Sequence, residues 1–219
     1  MRDAAEQTVD PAAEAAIEAC GHYKVVMAAG RLAQQKGFDL LLRAFAEIAP
    51  RRSGWRLAIF GDGPESTSLR EMTRDLGLSG LVIFPGFSRT LHLALRKSQL
   101  FVLSSRYEGM PNVLAEAMAW AVPCISFDCP TGPAELISHG RNGLLVPPQD
   151  VGRLAAAMDR LMGDDELRRQ FGKAAEETVK VYSLGGILDR WNTVLGRILN
   201  PARAENLNGL NASEADKSA

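Results

Sequence analysis

Residues 99–118 read Q-L-F-V-L-S-S-R-Y-E-G-M-P-N-V-L-A-E-A-M. The apolar run Leu100 to Leu103 breaks at two serines and a polar loop, and beyond Pro111 apolar residues return at helical spacing. A strand, a loop and a helix in that order form half of a βαβ unit. The same alternation runs through the chain. Apolar, β-rich stretches lie at Lys24 to Ala29, Trp55 to Phe60, Leu81 to Phe84, Gln99 to Leu103, Val122 to Phe127 and Gly143 to Val146. Helical periodicity separates them, clearest in Phe38, Leu41, Leu42, Phe45 and Ile48 and again in Leu114 and Met118. Strands that are apolar throughout pair in parallel under helices on both faces, joined by right-handed crossovers. The expected architecture is therefore α/β, a doubly wound, six-stranded parallel sheet of Rossmann-like form. After Val146 the pattern is helical only, at Val151 to Met162, Glu166 to Tyr182 and Leu184 to Leu199.

The composition fits one domain with a sizeable core: 219 residues, 46% hydrophobic and 23% charged. Disorder and fibrous structure are excluded. Lys and Arg number 25 against 26 Asp and Glu, a net charge of -1, so the chain is no nucleic-acid binder and any anion site is local. No apolar run approaches the roughly 18 residues that cross a bilayer, and the N-terminus lacks signal-peptide order. A cytoplasmic protein is expected. Cys20, Cys124 and Cys129 show neither C-x-x-C spacing nor a histidine cluster, which argues against zinc and against a disulfide scaffold. Cys124, inside an apolar run, reads as a small buried hydrophobe. Residues 1–22 read as a linker remnant, 23–182 as the core domain, 183–199 as a separate C-terminal helix and 200–219 as a flexible tail.

Ligands of open parallel sheets bind beyond the carboxyl ends of the strands. After the first strand, A-G-R-L-A-Q-Q-K-G-F offers Gly30 for a tight turn and two cations, Arg31 and Lys36, suited to a pyrophosphate. After the second, F-G-D-G-P-E reads as a tight turn before a helix, with Pro64 at its first position, in preference to the alternative of a phosphate cradle. The third ends in F-P-G-F-S, where Gly86 and Phe87 border a flat ligand edge. The fourth carries most information. Glu108 stands in the loop, Gly109 permits close backbone approach, Pro111 opens the helix and Glu116 lies inside it. The N–H groups of Gly109, Met110, Asn112 and Val113 are expected to face a cleft, where a helix start favours an anion and the two carboxylates accept sugar hydroxyls. Spacing alone leaves a structural role open for each residue: solvated cations, a dipole complement at Glu108, a surface carboxylate at Glu116. His139 reads as a solvent-facing turn residue, and no nucleophile elbow, P-loop or H-E-x-x-H occurs.

In order and spacing, G-R-L-A-Q-Q-K-G-F, F-G-D-G-P-E, the E-x₇-E pair of Glu108 and Glu116, and N-G-L-L-V resemble the family 4 retaining glycosyltransferases. The resemblance covers about Val25 to Leu199 and corresponds to the C-terminal, donor-binding half of a GT-B fold, with no counterpart to the N-terminal, acceptor-binding half. It implies that Arg31 and Lys36 hold the donor diphosphate and that Gly86 to Ser88 border the base. It further implies that Glu116 binds ribose, Glu108 positions the sugar, and the backbone of Gly109 to Val113 cradles phosphate and sugar. No cofactor and no metal are implied, because such enzymes lack a D-x-D motif and none occurs here. The implied ligand is a nucleoside diphosphate sugar, first of all a UDP-sugar. D-C-P-T-G-P-A-E-L-I looks like bacterial members that move a hexose or N-acetylhexosamine onto a glycan or lipid-linked acceptor, at times against the inner membrane face. Met-Pro at 110–111 departs from the more common Phe-Gly and leaves fewer free N–H groups. The last helix resembles the segment that crosses back onto the other half, and its stripe of Ile187, Trp191, Val194 and Leu195 is expected to be exposed or self-associated. A non-catalytic nucleotide-sugar-binding module and a GT-B epimerase are the alternatives.

Overall fold

The computed structural model describes residues 15, 17, 18, 20–182 and 184–199, without the side chains of 184 and 197–199. Most of the expected linker and all of the expected tail lie outside the described residues. Six strands, β1 (Lys24–Ala29), β2 (Trp55–Phe60), β3 (Val82–Gly86), β4 (Leu100–Leu103), β5 (Cys124–Phe127) and β6 (Leu144–Val146), form one sheet in the order β3-β2-β1-β4-β5-β6. Every pairing is parallel. The doubly wound expectation holds.

Alternation along each strand divides its side chains between two apolar layers. Val26, Ala28, Leu57, Ile59, Leu100, Val102, Ile125 and Phe127 join one layer. Helices α1 (Phe38–Ile48), α2 (Ser66–Asp75) and α6 (Val151–Gly163) cover it through residues such as Phe45, Leu69 and Met158. Val25, Met27, Ala58, Phe60, Phe101, Leu103 and Cys124 join the other, beneath α3 (Leu91–Lys97), α4 (Asn112–Ala119) and the short α5 (Pro133–Leu136). The first two crossovers lie on one face and the next lie on the other, so the winding reverses between β1 and β4. That reversal opens a crevice above the carboxyl ends of those two strands. Helix α7 (Asp165–Val179) contributes Phe171 to one layer and Ala175 to the other.

Several boundaries shift for local reasons. Strand β5 starts at Cys124 rather than Val122, because the Val122 N–H closes α4 by donating to the Ala117 carbonyl. Pro64 does not open α2, which starts at Ser66 after a turn in which the Ser66 N–H donates to the Gly63 carbonyl. Pro111 is the N-cap of α4 and Asn112 its first residue. The helix expected to reach Tyr182 ends at Val179, and a 3-10 turn over Lys180–Tyr182 follows. Cys20, Cys124 and Cys129 are buried thiols. Burial pushes the Cys124 thiol up, as befits a small hydrophobe.

The chain divides into two compact units, Met1–Val179 and Lys180–Ala219. In the second, α8 (Leu184–Leu199) carries Ile187, Leu188, Trp191, Val194 and Leu195 as an exposed apolar stripe. No helix among the described residues is long and apolar enough to cross a membrane.

The loops leaving β1 and β4 meet at Gly37, which has a φ of 61° and ends the 3-10 turn Gln34–Lys36. A Cβ there would stand 2.0 Å from the Ser104 carbonyl oxygen. Both the left-handed backbone and the space demand glycine. Gly37→Ala is expected to destabilise the protein by about 3 kcal/mol, a melting temperature lower by roughly 6–12 °C. A calorimetric scan matching the parent would show that the two loops do not press together.

Candidate active site

Above the carboxyl ends of β1, β2, β3 and β4 lies a cavity of about 670 Å³. Arg31, Lys36, Glu108 and Glu116 all line it, together with Gly30, Phe87, Met110, Asn112 and Val113. Residues chosen from three separate stretches thus reach one space. Gly86 and Gly109 flank lining residues without lining the cavity themselves. A Cβ at Gly109 would meet nothing within 4 Å, so no protein atom requires glycine there.

Backbone and side-chain bonds fix the two principal loops to each other. The Arg106 N–H donates to the Gln35 carbonyl at 2.7 Å, Ser104 Oγ to the Lys36 carbonyl at 2.9 Å and Gln35 Nε2 to the Tyr107 carbonyl at 3.0 Å. The guanidinium of Arg106 grips both oxygens of Asp39 at 2.8 Å and also reaches the Gln34 carbonyl. Burial by itself would raise the Asp39 carboxyl. The hydrogen bonds and charge of Arg106, aided by the Leu40 N–H, outweigh it and hold the carboxyl below its usual range.

Charge inside the cavity is unevenly matched. Lys36 Nζ lies 2.6 Å from Glu108 Oε1, and both side chains are largely enclosed. The stem of Lys36 crosses Gly30, where a Cβ would come within 3.1 Å of Lys36 Cε. Arg31 is exposed and has no acidic partner among the described residues. A cation with its fork of donors free therefore faces the open cavity beside a cation that is already neutralised. Glu116 is exposed on the second turn of α4.

One expectation fails. The Asn112 N–H donates to the Met110 carbonyl at 2.9 Å and so does not face the cavity as a free donor. Pro111 fixes a tight turn there and supplies no N–H of its own. The first turn still leaves the Val113 N–H outside the intrahelical ladder.

Some contributors escaped the sequence reading. Asp62 lines the cavity, and its Oδ2 accepts the Phe87 N–H at 3.2 Å, which holds the exposed Phe87 at the rim. A charged residue between two glycines at a strand end was the available signal. Leu91 carried none, because it reads as an ordinary helix residue. The Thr131 hydroxyl rests on the Glu108 carbonyl, from a residue with φ 61°. His139 is exposed as expected, though its Nδ1 accepts the Leu145 N–H.

The family described as Glycosyl transferases group 1 matches residues 12–178, more than half of the chain. The chain belongs to this family. Among its relatives, an exopolysaccharide phosphotransferase of Streptomyces coelicolor is 40% identical over 178 residues, 81% of this chain and 19% of that protein. An amylovoran biosynthesis glycosyltransferase of Erwinia amylovora is 36% identical over 170 residues, 78% of this chain and 47% of its own length. The chain thus spans less than half of either relative. A TarM mutant from S. aureus, crystallised with fondaparinux, alpha-GlcNAc-glycerol and UDP, superposes with a TM-score of 0.73 at 27% identity. That match covers 79% of this group 1 chain and 36% of TarM.

The Arg106–Asp39 pair gives a stability test. Because the folded carboxyl titrates below its unfolded value, its contribution is complete above the ordinary carboxylate range and disappears as pH falls through the folded value. Asp39→Asn is expected to cost about 1–3 kcal/mol at neutral pH. The deficit should shrink under acid, where the parent residue is protonated too. Urea melts showing the same deficit at both pH values would mean that charge contributes nothing to the contact.

Proposed function

We propose that this chain is the donor-binding half of a family 4 retaining glycosyltransferase, which moves a hexose or N-acetylhexosamine from a nucleoside diphosphate sugar, first a UDP-sugar, to a glycan or lipid-linked acceptor. The convergence of Arg31, Lys36, Glu108 and Glu116 on one cavity at the β1/β4 reversal carries the reading. It is supported by group 1 membership and by the likeness to TarM, a protein crystallised with UDP.

In this reading the diphosphate lies against Arg31 and the start of α4, where a fork of donors and the helix dipole favour negative charge. Lys36 turns from Glu108 toward the phosphates. Together these groups stabilise the nucleoside diphosphate as it departs, without a metal ion. Glu116 accepts the ribose hydroxyls, Phe87 and its neighbours border the base, and Glu108 accepts a hydroxyl of the sugar. Gly109 lets the sugar approach the backbone. Acceptor binding and transfer belong to the other half of a longer enzyme, so the chain by itself binds donor and transfers nothing. The exposed stripe of α8 is the surface for that half, and copies of the isolated chain associate through it.

Calorimetric titration with nucleoside diphosphates and their sugars is the test. Binding of one base class is expected; none at all would sink the reading. Arg31→Ala should weaken plain diphosphate binding by about tenfold or more, because the variant has no guanidinium to donate charge-assisted hydrogen bonds to phosphate. Glu108→Ala should leave it intact or tighten it, because the carboxylate competing for Lys36 is gone. Equal losses would contradict this division of labour. Gly109→Ala should keep the parent's stability to within about 0.5 kcal/mol while weakening the nucleotide sugar, and a stability loss with unchanged binding would place the requirement for glycine in the protein instead.

A further inference from the structure

Glu108 is held by more than Lys36. Ser105 Oγ donates to Glu108 Oε1 at 2.5 Å, the same oxygen that Lys36 Nζ reaches at 2.6 Å. Oε2 takes no hydrogen bond from the described residues. Since no side-chain polar atom among them is buried without a partner, Oε2 is not fully enclosed, and Glu108 lines the open cavity. Ser105 itself is 1% exposed and does not line the cavity.

We infer that Ser105 is a positioning residue that sets the rotation of the Glu108 carboxylate, keeping Oε1 turned inward and Oε2 aimed at the transferred sugar. The inference rests on the donor-site reading above. The two partners of Oε1 differ in kind. Lys36 is a point charge on a long stem, with three donors that suit many geometries. Ser105 is short, buried and has one proton to donate, so it defines a direction. Lys36 is also the partner that an incoming diphosphate attracts. Once its charge is shared with phosphate, the hydroxyl of Ser105 becomes the remaining fixed contact on the carboxylate. Behind it the Thr131 hydroxyl rests on the Glu108 carbonyl, so backbone and carboxylate are tethered from two loops. The consequence is specific: Ser105 bears on the sugar and not on the nucleotide.

The readout is the sugar increment, the ratio of the Kd for plain UDP to that for UDP-glucose, UDP-galactose or UDP-N-acetylglucosamine, with GDP and GDP-mannose in parallel, measured by calorimetry on the full chain. Ser105→Ala is expected to leave the Kd for the plain diphosphate within about twofold and to lower the increment by about tenfold or to unity. Ser105→Cys keeps the volume while weakening the donor and should show the same loss, which covers the case of an alanine variant that does not fold. Ser105→Thr keeps the hydroxyl and should keep the increment. Full increments in Ser105→Ala or Ser105→Cys, alongside a loss in Glu108→Gln, would overturn the role of Ser105 alone. So would a lowered melting temperature with the increment unchanged. A parent that binds plain diphosphate but shows no increment would overturn the sugar contact of Glu108 together with the role of Ser105. A parent that binds no nucleoside diphosphate would overturn the donor reading and this role with it.

Discussion

The contact between the loops that leave β1 and β4 governs everything above the sheet. At Gly37 the first loop comes so close to the Ser104 carbonyl that no side chain fits, and this approach permits the bonds on either side of it. Ser104 reaches back to the Lys36 carbonyl, Arg106 to Gln34, Gln35 and Asp39, and Gln35 to Tyr107. Lys36 and Glu108 meet because their loops are locked together on both sides of Lys36 and just ahead of Glu108. The lock sits where the winding of the sheet reverses, the one place in a doubly wound fold where two loops diverge and leave a crevice.

That arrangement bears on how the cavity of a chain of net charge -1 would meet an anion. Two cations and three carboxylates, Asp62, Glu108 and Glu116, line the cavity, so charge counting alone predicts repulsion of a diphosphate. Geometry reverses the sign locally. Glu108 is spent on Lys36, Asp62 holds a backbone N–H, and Glu116 lies a turn into α4, while Arg31 stands exposed. Near a surface, at an effective dielectric of about 20, a separation of a few ångströms decides between attraction and repulsion. Placement of the carboxylates therefore matters more than their number.

The sheet, its six strands and both apolar layers were legible in the sequence, because continuous apolar runs with helical spacing between them admit few other arrangements. Four of the cavity's five charged residues, Arg31, Lys36, Glu108 and Glu116, were legible too, since strand ends limit where ligand-facing side chains can stand; Asp62, held in what reads as a tight turn, was not. Contacts made through hydrogen-bond direction were not. Nothing in S-S-R-Y-E says which serine turns toward Glu108 and which toward Lys36; Ser105 takes the carboxylate and Ser104 the carbonyl. The Asn112 N–H was misread for a similar reason. Pro111 has a ψ of 77°, outside the helix, and the turn this makes returns the next N–H to Met110 rather than to the cleft.

A carboxylate as enclosed as Glu108 would be costly without compensation, and the compensation shapes what it can do. Ion pairing to Lys36 and the hydroxyl of Ser105 both fall on Oε1, so one oxygen is satisfied twice and the other is left without a partner among the described residues. A symmetric arrangement, with one partner on each oxygen, would stabilise the carboxylate equally well and leave it nothing to offer. The asymmetry follows from chain geometry: Ser105 lies three residues before Glu108 in one loop, while Lys36 arrives over Gly30 in the other, and both end on the same oxygen. One device thus offsets burial on one oxygen of the carboxylate and leaves the other without a protein partner, which is what the proposed sugar contact requires.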